Sequence, residues 1–157
     1  MASTRAELAD RLRKANLRVT AQRIAILAAI DGRHDHPTVD EIIGAARERL
    51  GSVSVQAVYE VLRALTEANL LRRIEPAHSP ARYETRVSDN HHHIVCRECD
   101  STTDVDCVTG LAPCLDPSST NGFAIDEAEV TFWGICPACQ ARRQERAEHA
   151  HERADIR

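Results

Sequence analysis

Aromatic side chains make up only 3% of the 157 residues, with one Trp, two Tyr and two Phe. A chain so poor in rings must fill its interior with Leu, Ile, Val and Ala, so its cores are aliphatic and small. Long apolar runs are missing as well. The longest, Ile24 to Ile30, spans seven residues, against the ~20 that a membrane helix needs. The first residues are polar and charged, unlike a secretory signal. These absences lead to the expectation of a cytoplasmic protein that makes no use of membranes. Lysine is reduced to Lys14 beside 19 arginines, a usage that points to a high-GC genome. A basic excess is also lacking, because the net charge is −4. The halves differ, however. Residues 1–88 carry 14 Arg/Lys and 11 Asp/Glu, an excess of +3, and residues 89–157 carry 6 and 13, giving −7. A mildly basic first half before an acidic second half fits phosphate contact by the first half alone.

What is present begins with helix signals. Thr4 to Glu7 reads as a capping box, opening a helix that ends near Asn16. Thr20 caps a second helix running to Ile30, and Asp31-Gly32 breaks it. Thr38 to Glu41 is a second capping box, for a helix reaching Leu50 and stopped by Gly51. Ser54 caps a fourth helix, with Val55, Val58, Leu62 and Leu65 near helical spacing. Two short strands, Leu70 to Glu75 and Arg82 to Thr85, follow around a Pro76–Pro80 turn. Helices followed by a hairpin describe a winged helix-turn-helix, with the fourth helix as reader. Its polar or small positions are Ser54, Gln56, Ala57, Tyr59, Glu60 and Arg63. Gln and Arg suit bidentate contacts with A and G edges, and small residues suit thymine methyls. A plain helical bundle with a solvated face fits the same pattern.

Six cysteines in a chain of this kind argue for metal before disulfides. Cys96-x-x-Cys99 and Cys136-x-x-Cys139, with 36 residues between the pairs, form a C-x₂-C…C-x₂-C pattern. Each pair places two thiolates on one tight turn, and two turns complete a closed tetrahedral zinc site. Two redox dithiols are the competing reading. Cys107 reads as core and Cys114 has no assigned role. The segment Asp89 to Gln140 has little apolar area, so structural zinc would contribute to its folding.

Immediately before the first pair stand His91, His92 and His93. As a strand, they put His91, His93 and Val95 on one face and His92 on the other. A return strand from Thr102 to Cys107, with its turn centred between Glu98 and Cys99, sets Asp104 opposite His93. Two imidazoles and a carboxylate in that arrangement suit Fe(II), Mn(II), Zn(II) or Ni(II). Glu84, His34 and His36 are the available additional ligands, and a bond from His36 would tie the two halves together. An exposed polar stretch is the alternative for three adjacent histidines.

The order Leu17-Arg-Val-Thr20, His36 before a helix, Val58-Tyr59, Tyr83-Glu84, His-His-His-Ile-Val-Cys and the second Cys-x-x-Cys resembles the ferric uptake regulator (Fur) family. The resemblance covers about residues 5 to 142 and is greatest to FurA/CatR-type, peroxide-responsive members from high-GC bacteria. It implies an α+β fold, a winged helix followed by a small α/β dimerisation domain. The corresponding divisions are 1–87, 88–142 and a charged, flexible tail, 143–157. It implies structural Zn²⁺ on Cys96, Cys99, Cys136 and Cys139, and regulatory Fe²⁺ or Mn²⁺ on His36, Glu84, His91, His93 and Asp104. Arg18 maps to a minor-groove residue and Tyr59 to the reader-helix tyrosine. Many members carry Arg directly after that tyrosine; here it is Glu60, with Arg63 as the compensating base.

The resulting expectation is a homodimeric repressor of a double-stranded DNA operator, metal-dependent and responsive to iron and peroxide, controlling catalase-type genes. An iron, zinc or nickel homeostasis regulator is the near alternative. A zinc enzyme using Glu84 as base, or a metal store, is the remote one, and no H-E-x-x-H occurs. The tail from Ala141 to Arg157 is charged and apolar-poor and is expected to begin as helix and then fray, with His149 and His151 solvated.

Overall fold

Four hydroxyl side chains start the four helices of the N-terminal half. The computed structural model describes residues 3–77, 79–87, 91–106, 119–124 and 130–155. Helix α1, Arg5–Lys14, opens on a complete capping box between Thr4 and Glu7. In α2, Ala21–Ile30, the Thr20 hydroxyl accepts from the Arg23 amide at 3.2 Å. Helix α3, Val39–Leu50, has the second full box, Thr38 with Glu41, and ends at Gly51 with φ +78°, a left-handed conformation that glycine adopts without strain. Helix α4, Val55–Glu67, is capped by Ser54. Its amphipathic face and those of its neighbours meet in an aliphatic core that includes Leu8, Leu12, Ile26, Leu27, Ile30, Ile42, Leu62 and Leu65. Asp31, just past α2, accepts from the Ser3 amide at 2.7 Å and pairs with Arg11, fastening the start of the chain to this core.

The hairpin is shorter than the sequence pattern suggests. Strands β1, Arg72–Ile74, and β2, Arg82–Glu84, pair antiparallel with Arg73 opposite Tyr83. Leu70 and Leu71 do not join the ladder, because both amides bond the Leu65 carbonyl and close α4. Thr85 lies just past β2, which ends at Glu84. The helix-turn-helix of α3 and α4 with this hairpin is a winged helix.

The chain divides into two units, Met1–Asp89 and Asn90–Arg157. In the second, β3 (His91–Cys96) is central. It pairs antiparallel with β4 (Thr102–Asp106) and parallel with β5 (Thr131–Gly134). Helix α5, Pro137–Asp155, follows. The tail expected to begin as helix and then fray is helical as far as Asp155, the last described residue. Ala, Arg, Gln and Glu dominate this stretch, and all are strong helix formers. The architecture is α+β, a winged helix followed by a small α/β unit. Cys107 and Cys114 lie outside the described residues.

Replacing Thr38 by Ala removes the hydroxyl half of the α3 capping box. Urea denaturation of the full chain is expected to show a loss of about 1 kcal/mol with an unchanged slope.

Candidate metal centres and nucleic-acid interface

The sulfur site follows from parallel pairing. Because β3 and β5 run in the same direction, with Cys96 opposite Gly134, both strands end at the same edge of the sheet. Cys96 closes β3 and Cys99 follows one turn later. Cys136 follows β5 and Cys139 sits in the first turn of α5. The four Sγ atoms lie within 4.8 Å of one another. Cys96 and Cys139 are 3.8 Å apart, and Cys99 and Cys136 are 3.6 Å apart. A tetrahedral ion with thiolate bonds of ~2.3 Å has S···S edges of roughly 3.8 Å, whereas a disulfide needs ~2.05 Å. The four cysteines therefore fit a closed tetrahedral metal site.

Local donors polarise these sulfurs. The Cys136 and Glu98 amides donate to Cys96 Sγ at 3.3 and 3.5 Å, and they lower its thiol to about 6. The amide of Cys139 lowers the Cys136 thiol in the same manner. Burial pushes the Cys139 thiol up, yet Arg142 Nη2 donates to its sulfur at 2.8 Å. Arg143 pairs with Glu98 on the first knuckle, and the Arg97 guanidinium lies 5.2 Å from the Trp133 ring centre. Neither Arg142 nor Arg143 is marked by the sequence pattern, since each is one Arg among many on a polar helix.

Nitrogen and oxygen donors occur in both units. In the first, His36 Nε2 lies 3.0 Å from Glu84 Oε2, and the two side chains are only 2% and 3% exposed. His34, the other histidine of this loop, is exposed. His36 has φ +50°, a left-handed conformation uncommon for a residue with a Cβ. Three backbone-level ties fix the loop. Arg82 Nη1 donates to the His36 carbonyl at 2.9 Å, the Tyr83 amide donates to the Pro37 carbonyl at 3.1 Å, and Thr38 bridges to Arg82. Arg82 is itself buried and was not among the site residues expected from sequence; its partner lies 46 positions away.

In the second unit, His91 and His93 are buried on one face of β3, and Asp104 is the cross-strand partner of His93. Asp104 Oδ1 is 3.7 Å from Nε2 of each imidazole. That exceeds a hydrogen-bond length and matches donors grouped around a shared ion. His92 faces the opposite side, its ring centre 6.1 Å from that of Phe132. Two imidazoles with carboxylate oxygens form a donor set for Fe(II), Mn(II), Zn(II) or Ni(II).

The reader face lies on α4. Gln56, Tyr59, Glu60 and Arg63 are exposed on it, and Ala57 is half-buried. Tyr59 is 53% exposed. Ser54 spends its hydroxyl as the helix cap, accepting from the Ala57 amide at 3.1 Å. Gln56 Nε2 donates to Glu60 Oε1 at 3.0 Å. Arg63 and Glu67 are 4.0 Å apart and well exposed, a weak attachment. A cleft of about 460 Å³ lies between α4 and the hairpin, lined by Tyr59, Arg63, Arg73 and Tyr83. Arg18 is exposed before α2, and its carbonyl accepts from Arg23 at 2.8 Å. His149 is exposed on α5; the side chain of His151 lies outside the described residues.

A winged helix, a Cys₄ cluster and buried His/carboxylate donors in one chain define a metal-binding regulator scaffold. Residues 14–132 match the profile of the ferric uptake regulator family, and the chain belongs to that family. It is 56% identical over 133 residues to transcriptional regulator FurA of Mycobacterium tuberculosis, a match covering 85% of this chain and 90% of the relative. It is 30% identical over 134 residues to the peroxide-responsive repressor PerR of Staphylococcus epidermidis, covering 82% and 85%. The solved structure of the Helicobacter pylori ferric uptake regulator Fur superposes with a TM-score of 0.65. That match covers 88% of this chain and 95% of that one at 21% identity, and it supports the fold.

Cobalt(II) added to the metal-free chain is expected to give thiolate charge-transfer absorption and tetrahedral ligand-field bands. Both should collapse in Cys139→Ser, which leaves three sulfurs. Unchanged spectra would show that the Cys₄ cluster is not where the ion binds.

Proposed function

We propose that the chain is a homodimeric, metal-dependent transcriptional repressor that binds a double-stranded DNA operator and responds to iron and peroxide. The observation that carries this reading is the distribution of donors. His36 and Glu84 belong to the winged-helix unit, and His91, His93 and Asp104 belong to the sheet unit. Neither group alone supplies five ligands, and the two groups offer matching N/O chemistry. Joined on one Fe²⁺ or Mn²⁺ ion, they fix the orientation of the reader helices, while Zn²⁺ on Cys96, Cys99, Cys136 and Cys139 holds the second unit together.

Orientation matters because two readers in a dimer must enter successive major grooves about 34 Å apart. A coupling of about 1–3 kcal/mol between metal and DNA changes operator affinity roughly 5–150-fold. Arg18 approaches the minor groove, and Gln56, Ala57, Tyr59 and Arg63 face base edges, with Ser54 setting the start of the reader. Bound Fe²⁺ supplies peroxide-reducing chemistry next to the imidazoles of His36 and His91, and Mn²⁺ fills the same donors without it. The name of the Staphylococcus relative, a peroxide-responsive repressor, supports peroxide response; catalase-type target genes rest on the sequence resemblance alone. A metal-homeostasis regulator using the same donors for iron, zinc or nickel is the second reading, favoured by a donor set that accepts all three.

His91→Ala is expected to retain a zinc-loaded dimer and lose metal-dependent DNA retention. Unchanged metal-dependent retention would remove His91 from the regulatory site. With Fe²⁺-loaded wild type, peroxide is expected to release DNA and add one oxygen atom to the His36 or His91 peptide, read by mass spectrometry. Mn²⁺-loaded protein should keep its DNA. Retention that survives peroxide with iron bound would leave the metal-homeostasis reading.

A further inference from the structure

The exposed face of α4 carries a net negative charge where a reader of polyanionic DNA would be expected to carry a positive one. Along Gln56, Glu60, Arg63 and Glu67 there are two carboxylates and one guanidinium. An anionic side chain set against phosphates weakens binding to every sequence unless it meets a hydrogen-bond donor. Helix support does not account for Glu60, because an exposed Gln–Glu pair at this spacing adds only about 0.2–0.5 kcal/mol.

The Gln56–Glu60 bond, 3.0 Å from Nε2 to Oε1, gives the pair a defined polarity. Gln56 directs its amide nitrogen at Glu60 and so turns its carbonyl oxygen away. Glu60 has Oε2 and the other lone pair of Oε1 left, and an ionised carboxylate can only accept. In the major groove, cytosine N4 and adenine N6 are donors, whereas guanine and thymine show acceptors and the thymine methyl. A carboxylate held there is therefore met by cytosine or adenine and repelled by guanine and thymine. Arg63 decides between the two. It lies three positions after Glu60, on the same helix face, and guanidinium is the match for guanine O6 and N7. Glu60 and Arg63 together complement both edges of a C·G pair, acceptor to cytosine and donors to guanine.

Resting on the DNA-binding reading above, we infer that Glu60 is a specificity-determining residue that reads cytosine N4, held in place by Gln56. Each operator half-site must then contain one C·G pair that Glu60 selects.

The test uses the full-length, zinc-containing protein loaded with Mn²⁺. A pool of random duplexes gives the preferred sequence, and affinities are then measured with each C·G pair replaced in turn by T·A. Wild type is expected to lose about 5- to 150-fold at one pair per half-site. Glu60→Gln should bring that penalty to about twofold or less at that pair alone, because glutamine can donate to thymine O4 as readily as it accepts from cytosine N4. Other pairs keep their penalties, which also shows that the variant is folded. If Glu60→Gln instead strengthens binding equally on every duplex, Glu60 only repels phosphate and the inference fails. A Glu60→Gln profile identical to wild type overturns it too. If wild type retains no DNA from the pool under any metal, the DNA-binding reading falls, and the inference with it.

Discussion

Four sulfur atoms held 3.6 to 3.8 Å apart in two facing pairs are the constraint on which the second unit depends. As thiolates at that distance, each pair repels by roughly 4–5 kcal/mol at an effective dielectric constant of about 20. Amide donors on Cys96 and the Arg142 guanidinium on Cys139 reduce the repulsion without cancelling it, and a bound dication would offset the rest. Apolar burial offers little substitute: among the described residues of this unit, Val95, Cys96 and Cys139 are the buried hydrophobic side chains. The same strand that delivers Cys96 carries His91 and His93 on its alternate face. Fixing the knuckle thus also fixes the imidazoles.

The first unit is built on a different principle. Its aliphatic core and four capped helices are complete without any ion, and its donors sit at the edge of that core. Strand β2 connects them to the reader. Glu84 faces His36, while the adjacent Tyr83 lines the cleft against Tyr59 of α4. Arg82, one residue earlier, holds the His36 carbonyl. Three consecutive side chains, all buried, therefore touch the metal donor, the donor's loop and the reader's cleft.

Much of this was legible in the sequence because it is local. Thr4, Thr20, Thr38 and Ser54 announce helix starts through chemistry confined to four residues. The pairing of His93 with Asp104 follows from a turn centre and strict alternation. Where the reading failed or fell short, the cause was non-local. Leu70 and Leu71 look like strand residues, but their amides are already committed to Leu65. The hydrogen bond of Arg82 to His36 joins residues far apart in sequence, and no spacing rule marks an arginine of a short hairpin as buried. The α5 segment reads as a helix that frays because it lacks an apolar stripe, while its helix propensity carries the helix further. Glu60 was legible as an anomaly only; its bond to Gln56 is what makes it interpretable.

These two ways of building a unit give the two proposed ions different jobs. Losing the tetrahedral ion removes the main opposition to sulfur–sulfur repulsion in a unit with few buried apolar side chains among its described residues, so the expected consequence is structural. Losing the N/O ion leaves the core of the winged helix intact and the sulfur site untouched. Its consequence would fall on the donor groups themselves, the buried His36 and Glu84 and the partly buried Asp104. Glu84 already has the Arg72 guanidinium 3.9 Å away, so an ion at these donors would add to a charge balance that the protein partly supplies. Imidazole and carboxylate donors of this kind can accept Fe²⁺, Mn²⁺ or Zn²⁺. On the reading proposed above, discrimination comes from what each ion does once bound. Fe²⁺ held by these imidazoles would then react with peroxide and Mn²⁺ would not, so the reactivity of the ion, more than its affinity, would be the signal.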